Sequence, residues 1–195
     1  CDTIIVGAGI AGLMADRTLA SLDRDVIILE DAPGVGGRMA TLRHSGALFD
    51  HGAQFISVRS DRFRAIVDEW LEAEVAGLWS HGFADGLTGD GSLLTAAAGG
   101  AGLAHTPARD GHPRYRGSEG MESIGAYLAK GLDVRLGVEA VAIRRLEDGS
   151  FEVEATAGRR YRAATVIATP PLPVSLALLD AGEIPVSNAS RSVLR

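Results

Sequence analysis

The sequence predicts an α/β protein: a parallel sheet with a β-meander excursion and a second, inserted region. Three observations carry this. Two short apolar runs, TIIV at residues 3–6 and VIIL at 26–29, enclose a glycine-rich turn and a helical stretch. That order and length match one strand–helix–strand unit of a parallel sheet. Segments between 138 and 162 alternate apolar and polar residues, as strands do, and a further apolar run, TVIA, follows at 165–168.

Taken in order, Thr3 to Val6 reads as a buried strand and Leu13 to Leu22 as a helix. Asp25 introduces the strand Val26 to Leu29, which ends at Glu30. Asp31 to Thr41 is a glycine-rich loop, and Leu48 to Phe55 a short strand and turn. Ser60 or Asp61 caps a helix whose apolar positions are Phe63, Ile66, Val67, Trp70, Leu71 and Val75. That spacing is a core-facing stripe, so Trp70 reads as packing. Residues 77–117 read as irregular, with Ala96 to Ala104 a flexible loop. Ser118 to Lys130 reads as a helix stopped at Gly131. Strands are expected at 133–136, 138–146, 151–156 and 159–162, with a hairpin turn at Asp148-Gly149. Thr165 to Ala168 reads as a buried strand, closed by Thr169-Pro170-Pro171 and followed by a short helix from Leu172 to Leu179.

Composition sets the outer limits. The 195 residues carry 46% apolar and 23% charged side chains, enough for a core and too few charges for a disordered chain. A net charge of −6 lacks the electrostatic footprint of a nucleic-acid binder. The lone Cys1 excludes a disulfide framework within the chain and fits a reducing, cytoplasmic setting. No apolar run is long enough to span a membrane. A start at Cys1 reads as trimmed rather than lipid-modified. The five histidines show no metal-ligand spacing, so no metal is expected, and there is no GxSxG nucleophile elbow.

The strongest chemical signal is GxGxxG between strand and helix. Gly7 permits the tight turn, Gly9 lets backbone amides approach a diphosphate, and Gly12 lets the helix pack on the strand. The amides of Ile10, Ala11 and Gly12, with the helix dipole, suit phosphate charge. Glu30, at the end of the second strand with Asp31 beside it, stands where a carboxylate accepts from an adenosine ribose. The motif alone does not choose between FAD and NAD. Gly36-Gly37-Arg38 adds a second close backbone approach and a fixed positive charge suited to a diphosphate.

DTIIVGAGIAGLMADRTLA, VIILED, GVGGRMAT and FDHGAQF, in that order, resemble the flavin-containing amine oxidase superfamily. FDHGAQF, YRGSEGM and TVIATPP resemble its renalase-like branch more narrowly. The resemblance covers residues 2 to about 180 and implies FAD in an extended conformation. It implies that Gly7, Ala8, Gly9, Ile10, Ala11 and Gly12 line the pyrophosphate, that Glu30 meets the ribose, and that Arg38 touches the phosphate and ribityl region. Gly52, Ala53, Gln54 and Phe55 would run beside the flavin, with His51 or Gln54 tuning it or meeting substrate. Val141, with Ala140 as the neighbouring option, would offer backbone to the adenine, and Thr169 and Pro170 would return the chain to the cofactor.

The implied organisation has four parts. Residues 1–41 form the FAD-binding βαβ unit and its GGR loop, and 42–117 a flavin-flanking segment with part of a substrate-domain insertion. Residues 118–180 return to the FAD-binding domain with its meander, and 181–195 begin a truncated substrate domain. The implied reaction moves a hydride from a small reduced substrate, a dihydronicotinamide or an amine, onto flavin, with dioxygen as acceptor. Because the cofactor carries the hard step, no catalytic acid or base is named. The alternative is a non-catalytic dinucleotide-binding module or an inactive fragment.

Overall fold

The first strand, β1 (Thr3–Val6), is buried along its whole length because it lies inside a parallel sheet. The computed structural model describes residues 1–81 and 112–193. β2 (Val26–Glu30) pairs with one side of β1, with Thr3 opposite Val26 and Val6 opposite Leu29. The connecting helix, α1 (Ile10–Ala20), starts three residues earlier than its apolar pattern indicates. Gly9 is its extended N-cap, so the helix opens inside the glycine motif. The sequence then supplies β3 (Thr41–His44), β4 (Ala47–Asp50), β5 (Ile56–Ser57) and α2 (Asp61–Glu72). Ser60 caps α2, its hydroxyl accepting from the Phe63 amide at 3.3 Å. Ser60→Ala is expected to cost about 1 kcal/mol, read from the denaturant midpoint.

Residues 77–117 are not irregular at their two ends. β6 (Ala76–Ser80) and β7 (Arg114–Gly117) pair antiparallel, and β5 joins the other side of β7. The expected loop at Ala96 to Ala104 lies outside the described residues. The next helix, α3 (Glu122–Leu128), is shorter than expected at both ends. At its start, Gly120 takes a positive φ of 92° and a bridge links Ser118 to Gly120, which holds 118–121 as turns.

β8 (Val134–Leu136) pairs parallel with β2. β9 (Ala140–Arg145), β10 (Phe151–Ala155) and β11 (Arg160–Ala163) form the expected meander. Its first turn uses Gly149 at a φ of 84°, and Asp148 Oδ1 accepts from the Ser150 amide at 2.9 Å. β12 (Thr165–Ala168) then pairs parallel with β1, giving the order β12-β1-β2-β8. β12 is therefore a sheet edge rather than a buried strand, with Thr165 and Ala168 exposed. The chain continues through α4 (Leu172–Ala181) and α5 (Asn188–Val193).

Strand alternation divides the core into two layers. Ile5 and Ile28 face α1, α2 and α3 and pack in one cluster with Leu13, Val67, Trp70, Ile124 and Leu128. Ile4, Val6, Ile27 and Leu29 face the meander and α4, against Val138, Ile143, Val153 and Leu178. Both faces of the parallel sheet are covered, which explains why its inner strands read as continuous apolar runs. Among the described residues, no helix is long and apolar enough to cross a membrane.

Candidate functional site: a nucleotide cleft at the ends of the parallel strands

β1 and β2 deliver their carboxyl ends to one rim, where open α/β sheets bind ligands. A cleft of about 400 Å³ opens there. It is lined by Gly7, Gly9, Ile10 and Ala11 from the first turn and by Glu30 and Asp31 after β2. Gly36, Gly37 and Arg38 from the second glycine loop, and Thr169 and Pro170 after β12, complete the lining expected from sequence.

The local backbone accounts for this convergence. Gly7 has a φ of 99°, and a Cβ there would sit 2.7 Å from Thr169 Oγ1. The Thr169 hydroxyl lies 2.9 Å from the carbonyl of Val6 and 3.1 Å from that of Gly7, tying the returning chain to the turn. Gly12 is pressed into the strand: a Cβ would meet the Gly7 carbonyl oxygen at 2.0 Å. Gly9 is different, because a Cβ there would meet no heavy atom within 4 Å. Open space therefore lies over the N-terminus of α1, whose first turn carries no acidic residue and whose cap has no side-chain hydrogen bond. Such amides, with the helix dipole behind them, favour an anion.

The second glycine loop is bolted to the first. The Gly36 amide donates to the Ala8 carbonyl at 2.9 Å, and Gly36 takes a φ of 108°. A Cβ on Gly37 would stand 3.1 Å from Gly9 Cα. Arg38 is exposed and lines the cleft, and no ion pair or side-chain hydrogen bond engages it among the described residues. Glu30 turns its carboxylate back under the turn, accepting from the Ala8 amide at 2.5 Å and the Ala32 amide at 2.9 Å. Ala8 and Gly12 are buried behind the cleft, where they build its wall.

Two expectations land elsewhere. Val141 does not line the cleft and is 39% exposed, whereas Val138, Glu139 and Ala140 do line it. Val138 and Glu139 precede β9, and Ala140, its first residue, is the neighbouring option expected beside Val141. Gly52, Ala53, Gln54 and Phe55 are exposed and also lie outside the cleft lining. They are nevertheless fixed to it: the Ala53 amide donates to the Arg38 carbonyl at 2.8 Å, and a Cβ on Gly52 would meet that same oxygen at 2.0 Å. The preceding Asp50 accepts from Thr41 Oγ1 at 2.6 Å and from the Met121 amide at 2.9 Å. His51 is exposed between these two anchors.

Sequence reasoning missed the apolar lining from Val6, Leu29, Met39, Pro171, Val174 and Leu178. Its only signal was the apolar start of the helix after Pro171. Among the described residues, no group of three or more His, Cys, Asp or Glu is placed to hold a metal.

Residues 5–70 match the family model described as NAD(P)-binding Rossmann-like domain, and residues 76–193 match flavin containing amine oxidoreductase. L-amino acid dehydrogenase of Synechocystis sp. is 39% identical over 71 residues, which is 36% of this chain and 15% of that protein. Putrescine oxidase of Kocuria rosea is 41% identical over 94 residues, 48% of this chain and 20% of that protein. The solved structure of putrescine oxidase bound to putrescine superposes with a TM-score of 0.69 at 17% identity, covering 99% of this chain and 62% of that one. A fatty acid isomerase from P. acnes superposes at 0.68 and 16% identity, covering 98% of this chain and 63% of that one. This chain thus spans less than two thirds of these proteins, and the structural likenesses show the shared fold. With more than half of its residues inside one family model, the chain belongs to the flavin-containing amine oxidoreductases, a family whose cofactor is FAD.

Proposed function

We propose that this chain is the cofactor-holding part of an FAD-dependent oxidoreductase acting on a small amine or a dihydronicotinamide-like ring, in the renalase-like manner. One observation carries the reading: the open helix N-terminus at Gly9, Glu30 and Arg38 line one cleft. The residues fit a dinucleotide. The amides of Ile10, Ala11 and Gly12 receive the diphosphate, Glu30 accepts from the ribose with Asp31 beside it, and Arg38 neutralises charge beyond the diphosphate. Val138 to Ala140 flank the adenine end. The segment from Gly52 to Phe55, anchored on Arg38, borders the flavin.

Bound flavin would supply a two-electron acceptor, with dioxygen as the terminal oxidant in this reading. The protein residues orient it and exclude water. A cytoplasmic location belongs to the same reading, and the single cysteine supports it.

The test is a visible absorption spectrum of the purified protein with the released cofactor identified. Bound FAD is expected. Arg38→Ala should weaken FAD affinity by about tenfold to a hundredfold, the loss of a charge-assisted contact. A colourless protein that fails to take up added FAD overturns the reading. Peroxide formation with amines or dihydronicotinamides then tests the reaction.

A further inference from the structure

The β3-β4 hairpin ends in a cluster of hydrogen bonds that the cleft lining does not account for. Asp50, the last residue of β4, stands opposite Thr41, the first of β3. Its Oδ1 accepts from the Thr41 hydroxyl at 2.6 Å and from the Met121 amide at 2.9 Å. Thr41 Oγ1 accepts in turn from the Glu122 amide at 3.1 Å. Met121, at the N-cap of α3, makes no side-chain cap bond of its own, so the hairpin meets the opening amides of that helix. Little room is left around them, because a Cβ on Gly120 would stand 2.5 Å from Thr41 Oγ1. One carboxylate oxygen therefore joins β3, β4 and α3.

The cluster fixes the chain just beyond it. Ala53 follows Asp50 by three residues, a span of at most about 11 Å. The Ala53 amide is held at 2.8 Å by the Arg38 carbonyl, and a Cβ on Gly52 would stand 2.0 Å from that same oxygen. A chain tied at both ends over so short a span has little freedom to shift. The diphosphate end of the cleft is held by other bonds. The Gly36 amide donates to the Ala8 carbonyl at 2.9 Å, Gly9 and Gly36 form a bridge, and the Thr169 hydroxyl lies 3.1 Å from the Gly7 carbonyl. Asp50 takes part in none of these. α3 does approach the phosphate loop, where a Cβ on Gly125 would stand 2.9 Å from Gly36 Cα. Its place does not depend on the cap, because Ile124 and Leu128 sit in the core and Ser123 Oγ donates to the Val75 carbonyl at 3.0 Å. Loss of the Asp50 carboxylate therefore frees the hairpin rather than the helix.

We propose that Asp50 is a positioning residue for the flavin end of FAD: its carboxylate fixes the segment from Gly52 to Phe55 and leaves the diphosphate end to its own bonds. This rests on the FAD-dependent reading above. A residue that sets only the flavin end discriminates between two ligands that share the other end. ADP carries the adenine, ribose and diphosphate of FAD and lacks the flavin.

The test titrates ADP and FAD separately into the full chain after release of its flavin. Both should bind the parent protein. Asp50→Ala should weaken FAD binding by about tenfold or more and leave ADP affinity within about twofold. Asp50→Asn keeps an oxygen that accepts from Thr41 and Met121, so it should retain most of the FAD affinity. Thr41→Val should weaken FAD in the same direction, and adding it to Asp50→Ala should bring little further loss, since both remove the same bond. The absorption bands of bound flavin give a second readout. They should move toward those of free FAD in Asp50→Ala and Thr41→Val, and stay in place in Asp50→Asn. If Asp50→Ala fails to fold, Thr41→Val carries the comparison. Equal loss of ADP and FAD affinity, or no loss of FAD affinity, overturns the inference. A parent protein that takes up no FAD overturns the cofactor reading itself, and the assignment of Asp50 falls with it.

Discussion

Gly9→Ala and Gly12→Ala should both abolish tight FAD binding, yet only the second should unfold the protein. A methyl group on Gly12 would lie 2.0 Å from the Gly7 carbonyl oxygen and 3.2 Å from Ile5 Cγ2. Neither neighbour can give way, because Gly7 is pinned by Thr169 and Ile5 is fully buried. The helix must lift off the strand, so the cost is overpacking plus lost burial, about 3 kcal/mol or more. Gly9 offers the opposite case. Its φ of −71° suits any residue, and nothing stands within 4 Å of its Cβ direction. Alanine there should cost less than about 1 kcal/mol of stability. It would, however, occupy the space through which a diphosphate reaches the helix amides, and FAD affinity should fall at least about a hundredfold. Thermal melts paired with FAD titration separate the two. Normal FAD affinity in Gly9→Ala would show that the diphosphate does not lie over this turn.

The contrast also explains what could be read without coordinates. The first βαβ unit is local: two β-branched runs and three spaced glycines lie within Thr3 to Glu30, and each is shaped by near neighbours. β6 and β7 are not local. They are short, contain Gly77, Gly117, Arg114 and Arg116, and are separated by 34 positions, from Ser80 to Arg114. Their strand character comes from pairing with each other, which no window of sequence displays. β12 shows the reverse limit. Its apolar run marks a strand, but its place at the sheet edge depends on topology. In the cleft, the glycines and Glu30 were legible because backbone geometry demands those residue types. Val138 to Ala140 were harder to place, since Val138 and Glu139 precede β9 and only the packing of the meander on the sheet brings them to the cleft.

Asp16 should make the protein less stable as pH rises, and Asp16→Asn should remove that loss. The carboxyl sits on α1, is only 3% exposed, and its Oδ2 is buried with no hydrogen-bond partner. Burial raises its pKa above the ordinary carboxylate value, and the nearby Asp133 raises it further. An acid whose folded pKa lies above its unfolded value binds its proton more tightly in the folded state. Its contribution is therefore fully present below the unfolded value of 3.8 and is lost as pH climbs through the folded pKa. Other carboxylates act in the opposite sense: Asp148, held by Ser150, and Asp180, held by Arg191, have lowered pKa values and favour folding as pH rises. The total slope is thus a mixture, and the difference between the parent and Asp16→Asn isolates the one buried group. That difference should be small at pH 3 to 4, where the acid is neutral, and grow in favour of the variant toward neutral pH, as the buried carboxyl is pressed to ionise. Melting temperatures measured across pH 4 to 8 give the answer. A constant offset at every pH would mean that Asp16 is ionised in the folded protein throughout, and that α1 tolerates its charge at the core boundary for a reason other than protonation.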